Sequence, residues 1–281
     1  MKDRVNLYNK DCLEVFKELK DDSVNLIVTD PPYRITGRGN SGNSGGMCKK
    51  DSFNAGTIFE HNDIEVSEYA PEFFRVLKDG SHCYVMCNHV NLQSMLNTFT
   101  DIGFHFIKSL IWDICFHSFE QYSDVRHALG DLECKDKLIW EKTNPMPRNA
   151  DRRYVCNAEM FTWYVKPGAS WVFHCISDTY DGCVHKYPSE SGGGFKRYHP
   201  CQKPQALLLD IIRRHSNVGD TVFDPFMGSG SIGVAAKTLD RHFIGIELDE
   251  NYFEIAKQRI EGIAPIVSMD SDKGSKSIKL F

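Results

Sequence analysis

Apolar and polar positions alternate along this chain in short blocks that predict strands separated by helices. Compact apolar runs, such as VNLIV at 24–28 and HFIGI at 242–246, are typical of buried strands. Segments with apolar residues three or four positions apart, such as QALLLDIIRRH at 205–215, predict amphipathic helices. The alternation favours a doubly wound α/β fold, with a mostly parallel sheet and helices on both faces.

The pattern is less regular in the middle of the chain. EMFTWYVK at 159–166 predicts a strand that no clear helix separates from its predecessor, which favours one antiparallel hairpin edge. SLIWD at 109–113 and KLIWEK at 137–142 resemble each other. One should be a sheet strand and the other part of an insertion over 113–140, and the pattern does not choose between them. The helical pattern from 65 onwards is expected to stop at Gly80.

The length allows one large domain or two small ones, and we expect a single domain over residues 1–281, with a polar tail at 268–281 that we expect to be flexible. No apolar run approaches a membrane span, and the first residues, MKDRVNLYNKDC, lack the apolar core of a signal peptide. These features predict a cytoplasmic protein. The ten cysteines form no CxxC pair, so we expect reduced, mostly buried thiols and no metal site.

Charge limits how the chain could contact a nucleic acid. There are 33 basic and 38 acidic residues, and the net charge is −5. This is not the basic balance of a typical nucleic-acid binder. Any such contact must therefore come from local clusters of lysine and arginine.

A glycine-rich turn follows one of the C-terminal strands. FDPFMGSGSIGVAA at 223–236 contains GxGxxG between a strand and a helix, a pattern that is weak evidence alone. Asp224 ends that strand, and Glu247 ends the next, where an acidic residue holds ribose hydroxyls in nucleotide-binding folds. The combination predicts a site for a nucleotide-like cofactor.

A second unusual strand end, VTDPPY at 28–33, places a carboxylate, two prolines and an aromatic ring together. Taken with FMGSG at 226–230 and HPCQKP at 199–204, it resembles the β class of DNA amino-methyltransferases that depend on S-adenosylmethionine. The order of the motifs, with DPPY near the N-terminus and FMGSG near the C-terminus, is that of the β class. The resemblance is close over 5–35 and 199–263, and it implies a Rossmann-like methyltransferase domain.

The resemblance also implies a role for each matching residue. Asp30 and the Pro31 carbonyl would accept hydrogen bonds from the exocyclic amine of a flipped base. Pro31 and Pro32 would keep these acceptors rigid, and Tyr33 would stack on the base. The implied cofactor residues are Asp11 and Cys12 at the adenine, Glu247 at the ribose, and Lys203, Pro204, Asp224, Phe226, Gly228, Gly230 and Ser231 at the methionine end.

The target base follows from the same resemblance. DPPY usually accompanies adenine N6 in this family and SPPY accompanies cytosine N4, so we predict adenine, with cytosine N4 as the alternative. An enzyme that methylates RNA or a protein glutamine usually shows NPPY after the cofactor motif, and the order here argues against it. A non-catalytic DNA-binding relative is the remaining alternative, against which the intact Asp30 and glycine turn argue.

Recognition of DNA should lie outside the shared motifs, in segments 34–63 and 141–199. Arginine, lysine and asparagine are the side chains that reach phosphates and base edges. The candidates are Arg34, Arg38, Lys49, Lys50, Arg148, Arg152, Arg153, Lys196 and Arg197.

The resemblance to restriction–modification enzymes leaves a cognate restriction endonuclease and a homodimer open as partners. A further expectation concerns the end of the chain, SIKLF at 277–281. It is similar to short peptides that dock on DNA sliding clamps, although a plain polar tail is the alternative.

Overall fold

The computed structural model describes residues 4–32, 64–87, 91–111, 138–142, 158–159, 161–176, 184–188, 198, 202–263, 267–268 and 279–280. Several predictions fall outside these ranges: Tyr33, Phe281, residues 113–137 of the expected insertion and all nine basic residues proposed to contact DNA.

The described residues form twelve strands and six helices. The strands are β1 (Val5–Tyr8), β2 (Val24–Thr29), β3 (Leu77–Met86), β4 (His105–Ile111), β5 (Leu138–Lys142), β6 (Ala158–Glu159), β7 (Phe161–Val165), β8 (Val184–Tyr187), β9 (Thr221–Asp224), β10 (His242–Ile246), β11 (Val267–Ser268) and β12 (Lys279–Leu280). The helices are α1 (Cys12–Phe16), α2 (Val66–Val76), α3 (Leu92–Asp101), α4 (Gln205–His215), α5 (Ser231–Thr238) and α6 (Glu250–Glu261).

One large sheet has the strand order β1-β10-β9-β2-β3-β7-β4-β5-β6, and β8 pairs with β5. The strands from β1 to β3 in this order are mutually parallel. Strand β7 is antiparallel to both of its neighbours, β3 and β4, and the β5–β6 pair at the edge is antiparallel as well. The expected fold class is confirmed, but FTWYV of this stretch forms the interior strand β7, which pairs with a strand on each side, and its Trp163 and Tyr164 are buried.

Two details of the sequence interpretation are wrong. SLIWD and KLIWEK are both sheet strands, since β4 and β5 pair in parallel with Leu110 opposite Leu138. Helix α2 ends at Val76, and Gly80 lies inside β3 rather than at the helix end. The Gly80 N–H donates to the Lys166 carbonyl at 2.8 Å, so pairing with the chain just after β7 draws these residues into the sheet.

The core has two apolar layers, one on each face of the sheet. Helices α1, α2 and α3 pack on one face, where Phe16 meets the edge of Phe223 with 5.6 Å between ring centroids. Helices α4, α5 and α6 pack on the other, against side chains such as Leu26 and Val28. The layers confirm helices on both faces, and in such folds ligands bind beyond the carboxyl ends of the strands where the strand order reverses.

Within the part of the chain that the structure describes, no helix has both the length and the apolar character needed to cross a bilayer.

Candidate active site

Two predicted site carboxylates lie at neighbouring strand ends. Asp30 directly follows β2, and Asp224 is the last residue of β9. Because these strands pair in parallel, both carboxylates lie at the same edge of the sheet. The hydroxyl of Thr29 donates to Asp224 Oδ1 at 2.8 Å, and the Phe226 N–H donates to the same oxygen at 3.1 Å. Thr29 was not among the predicted site residues; the signal for it was a hydroxyl directly before DPPY.

The carboxylate of Asp30 has two different oxygens. Oδ2 accepts a hydrogen bond from the ammonium group of Lys203. Oδ1 is buried and has no hydrogen-bond donor among the described residues. Buried polar atoms are normally paired, and an exception at a strand end calls for a functional explanation. Oδ1 is a fixed acceptor at the position where the DPPY motif predicts one.

Lys203, which the sequence places with the cofactor residues, contacts Asp30 of DPPY. The sequence assigned it to the methionine end of a cofactor, whereas the structure places its ammonium group on Asp30. Both side chains are largely withdrawn from solvent, with 12% of Lys203 and 24% of Asp30 exposed. Pro204 is buried and is the N-cap residue of α4, which anchors the backbone beside Lys203.

Glu247 ties the glycine turn, residues 227–231, to the end of β10. Its Oε2 accepts from the Gly228 N–H at 2.8 Å, and its Oε1 accepts from the Asp249 N–H at 2.9 Å. Burial raises the pKa of Glu247, and these hydrogen bonds to the ionised form oppose that rise. The carboxylate is therefore held rigidly at the strand end where the sequence predicts a ribose contact.

The glycine turn is pressed against helix α6. Gly230 has a φ of +77°, and a Cβ atom there would lie 2.9 Å from the Cβ of Ala256. Only glycine satisfies both the left-handed backbone and this close approach. The next residue, Ser231, is buried and begins helix α5, so the turn leads into a helix N-terminus.

The start of the chain completes this edge of the sheet. The side chain of Asn9 donates to the carbonyls of Glu247 at 2.8 Å and of Leu248 at 3.1 Å. Asp11 is the N-cap residue of α1, where its Oδ1 accepts from the Leu13 N–H at 2.7 Å. Sequence reasoning predicted Asp11 but missed Asn9, because an asparagine two residues before a helix cap has no distinctive spacing.

The thiols near the site are not poised as nucleophiles. Burial, with a smaller contribution from the charge of Asp11, raises the pKa of Cys12 to about 12. Burial and then the charge of Asp30 raise the pKa of Cys87 to about 12. A thiol is reactive as its thiolate, and neither group forms one near neutral pH.

Of the cysteines that the structure describes, Cys12, Cys83 and Cys87 are buried as expected, and Cys175 is exposed.

Asp224 should make stability depend on pH. Burial, opposed by the hydrogen bonds from Thr29 and Phe226, raises its pKa from 3.8 to about 7. The folded protein then keeps a proton that the unfolded chain has released, so the free energy of unfolding should fall as pH rises between about 4 and 7. Asp224→Asn keeps the Oδ1 acceptor without titrating, and it should flatten this slope in urea unfolding. Equal slopes in both proteins would contradict the prediction.

Comparison with known proteins assigns the family. The model of the N6/N4 DNA methylases, described as DNA methylase, matches residues 24–258. The chain therefore belongs to the N6/N4 DNA methylase family.

Individual relatives are similar along nearly their whole length. Type II methyltransferase M2.DpnII of Streptococcus pneumoniae is 27% identical over 280 residues, which cover 92% of this chain and 91% of that protein. Type II methyltransferase M2.MboI of Moraxella bovis is 25% identical over 282 residues, covering 93% and 89%. Among solved structures, the M1.HpyAVI–SAM complex is 29% identical, with a TM-score of 0.64 over 91% of this chain and 98% of that one.

Proposed function

We propose that this DNA methylase transfers a methyl group from S-adenosylmethionine to the N6 amine of adenine within a specific DNA sequence. The observation that carries the proposal is the buried Oδ1 of Asp30, an acceptor that follows β2 next to strand β9, which leads into the glycine turn. Family membership supports transfer to an exocyclic amine of a DNA base. The choice of adenine over cytosine rests on the DPPY sequence.

The residues at this edge of the sheet fit S-adenosylmethionine. The carboxylate of Glu247 can accept hydrogen bonds from ribose hydroxyls while it keeps its backbone donors, because each carboxylate oxygen can accept more than one. The N-terminus of α5, after the left-handed Gly230, suits the carboxylate of the methionine moiety. Asp11 and the buried Cys12 lie beyond the neighbouring strand β1, where we place the adenine.

The chemistry required of the protein is positioning and charge stabilisation. S-adenosylmethionine supplies an electrophilic methyl group on a positively charged sulfur. Transfer would form an N–C bond and break the C–S bond, with S-adenosylhomocysteine as the leaving group. Positive charge would develop on the amine, whose lone pair is delocalised into the ring, until the amine releases a proton to solvent. Asp30 Oδ1 and the Pro31 carbonyl would accept its N–H groups, favour a more tetrahedral nitrogen and stabilise that charge. Lys203 would hold the carboxylate in place, and Tyr33 would stack on the flipped base.

The reaction is tested by identifying the methylated product. The protein is incubated with S-adenosylmethionine carrying a tritiated methyl group and duplex DNA of mixed sequence, and the DNA is digested to nucleosides. Tritium in N6-methyldeoxyadenosine supports the proposal, and tritium in N4-methyldeoxycytidine supports the alternative base. Parallel incubations with RNA and with glutamine-containing peptides test the other substrates. Cofactor binding without label in any product would favour a non-catalytic relative.

Replacement of Glu247 should weaken cofactor binding. In Glu247→Gln, the amide nitrogen must face the N–H of either Gly228 or Asp249, and the ribose loses a charged acceptor. We expect a loss of about 1–3 kcal/mol, or roughly 5- to 150-fold in the dissociation constant of S-adenosylmethionine. Isothermal calorimetry measures it, with Glu250→Gln, an exposed carboxylate in the first turn of α6, as the matched control. Equal affinities in the two variants would refute the role of Glu247.

Recognition of the DNA sequence remains assigned to 34–63 and 141–199, which carry the nine basic residues. Strand β7 lies within the second range, and Thr162, Trp163 and Tyr164 are buried in the sheet. Any recognition side chains of 141–199 would therefore come from outside this strand.

The remaining partners stay predictions. We place the enzyme in the cytoplasm with its DNA substrate, and a cognate restriction endonuclease or a second copy of the chain as further partners. The proposed sliding-clamp segment includes Leu280, which pairs with Val267 in the β11–β12 ribbon, so a clamp would have to compete with that pairing.

A further inference from the structure

Arg259, near the C-terminal end of α6, contacts the glycine turn through its Nη1 atom. Its Nη1 donates to the carbonyl of Ser229, to the hydroxyl of Ser229 at 2.8 Å and to the hydroxyl of Ser231 at 3.3 Å. Two charged side chains therefore hold the glycine turn. Glu247 accepts from the Gly228 N–H, and Arg259 donates to Ser229 and Ser231. Because the guanidinium is planar and delocalised, it can make these contacts while it stacks on an aromatic face, which a lysine ammonium does less well.

The same guanidinium covers an aromatic ring from another part of the chain. It lies 4.8 Å from the ring centroid of Tyr198, a cation–π arrangement. The Tyr198 N–H donates to the side chain of Gln202 at 3.0 Å. Gln202 directly precedes Lys203, so Arg259 also holds the backbone that carries the lysine bound to Asp30.

A second link joins these two parts of the site. The side chain of Gln205 donates to the carbonyl of Ser231 at 3.2 Å. Lys203 thus lies between two glutamines that are both hydrogen-bonded. Gln202 accepts from the Tyr198 N–H, and Gln205 donates to Ser231 at the end of the glycine turn. A displacement of the turn would be transmitted to Lys203, and through it to Asp30.

We propose that Arg259 is a positioning residue that holds the glycine turn and residues 202–204 in one rigid frame for S-adenosylmethionine. The inference rests on the proposed function, because it takes the glycine turn as the site of the cofactor. Arg259 acts through the turn and Tyr198, and rigid positioning of binding groups reduces the ordering that a ligand must impose when it binds.

Calorimetric titration with S-adenosylmethionine tests the frame, using Arg259→Gln, Arg259→Lys, Tyr198→Leu and the double variant Arg259→Gln/Tyr198→Leu. We expect Arg259→Gln to raise the dissociation constant at least tenfold, and Arg259→Lys and Tyr198→Leu to raise it roughly three- to tenfold. The dissociation constant of the double variant should be close to that of Arg259→Gln, because Arg259→Gln already removes the contact between the guanidinium and the Tyr198 ring. Lys257→Gln, on the same helix but exposed beside Glu254, should bind as the unchanged protein does.

Thermal unfolding without cofactor separates positioning from general stability. Arg259→Gln with a lowered melting temperature but an unchanged dissociation constant would overturn the inference while leaving the proposed function intact. Failure of the unchanged protein to bind S-adenosylmethionine would instead overturn the proposed function. If Arg259→Gln does not fold, Arg259→Lys and Tyr198→Leu decide, and unchanged affinity in both would overturn the inference.

Discussion

Asp30→Ala should lower the rate of methyl transfer by about 10² to 10³ while leaving cofactor and DNA binding nearly unchanged. The magnitude is that of removing one preorganised hydrogen-bonding group at a developing charge. Cofactor contacts are assigned to Asp224, Glu247, Lys203 and the glycine turn, and DNA affinity is dominated by phosphate contacts elsewhere. Single-turnover transfer measures the rate, and 2-aminopurine fluorescence at the target base reports flipping, which should survive.

Two further variants control for side effects of this change. Removing Asp30 leaves the largely buried ammonium of Lys203 without that partner, so Asp30→Ala/Lys203→Met removes both charges and should be equally inactive. Asp101→Ala removes an exposed carboxylate at the end of α3 and should transfer normally. Near-normal transfer by folded Asp30→Ala would refute the mechanism proposed for DPPY.

Gly230→Ala should be among the most damaging single-methyl additions to this chain. Its cost combines about 1–2 kcal/mol for a left-handed alanine with about 1–3 kcal/mol for the collision with Ala256. The displaced turn should also weaken binding of S-adenosylmethionine at least tenfold. Urea unfolding and calorimetry measure the two effects.

Gly219 offers a matched control for the backbone term. Its φ is +81°, and a Cβ atom there would meet nothing within 4 Å. Gly219→Ala should therefore show only the cost of a left-handed alanine and should bind cofactor normally. If the two substitutions destabilise the protein equally, the close contact with Ala256 is not what makes Gly230 necessary.

Much of the fold follows from local patterns. Apolar runs such as VNLIV and helical spacing such as QALLLDIIRRH each depend on burial of one element, so they predict β2 and α4 without knowledge of their neighbours. The pairing of strands is different, because it depends on partners far along the chain. This is why the interior position of β7 and the pairing of β4 with β5 were missed.

The same distinction holds at the candidate site. Asp224 and Glu247 were predicted because each lies at the end of a strand that the sequence identifies, and Asp30 because it belongs to DPPY after another such strand. Thr29 and Asn9 were missed because their roles exist only where strands from opposite ends of the chain meet. Lys203 was recognised within HPCQKP, but its contact with Asp30 depends on the placement of α4 against β2, which no local spacing encodes.

The meeting of distant segments also governs when the enzyme can become active during its synthesis. Thr29 and Asp224 lie 195 residues apart, and Asn9 and Glu247 lie 238 apart. While the ribosome is still making the middle of the chain, β2 has no β9 beside it, and its apolar edge must be shielded from aggregation. A nascent or prematurely terminated chain that lacks β9 and β10 therefore holds DPPY without a cofactor site. We therefore expect methylation of DNA only from molecules whose C-terminal strands have joined the sheet.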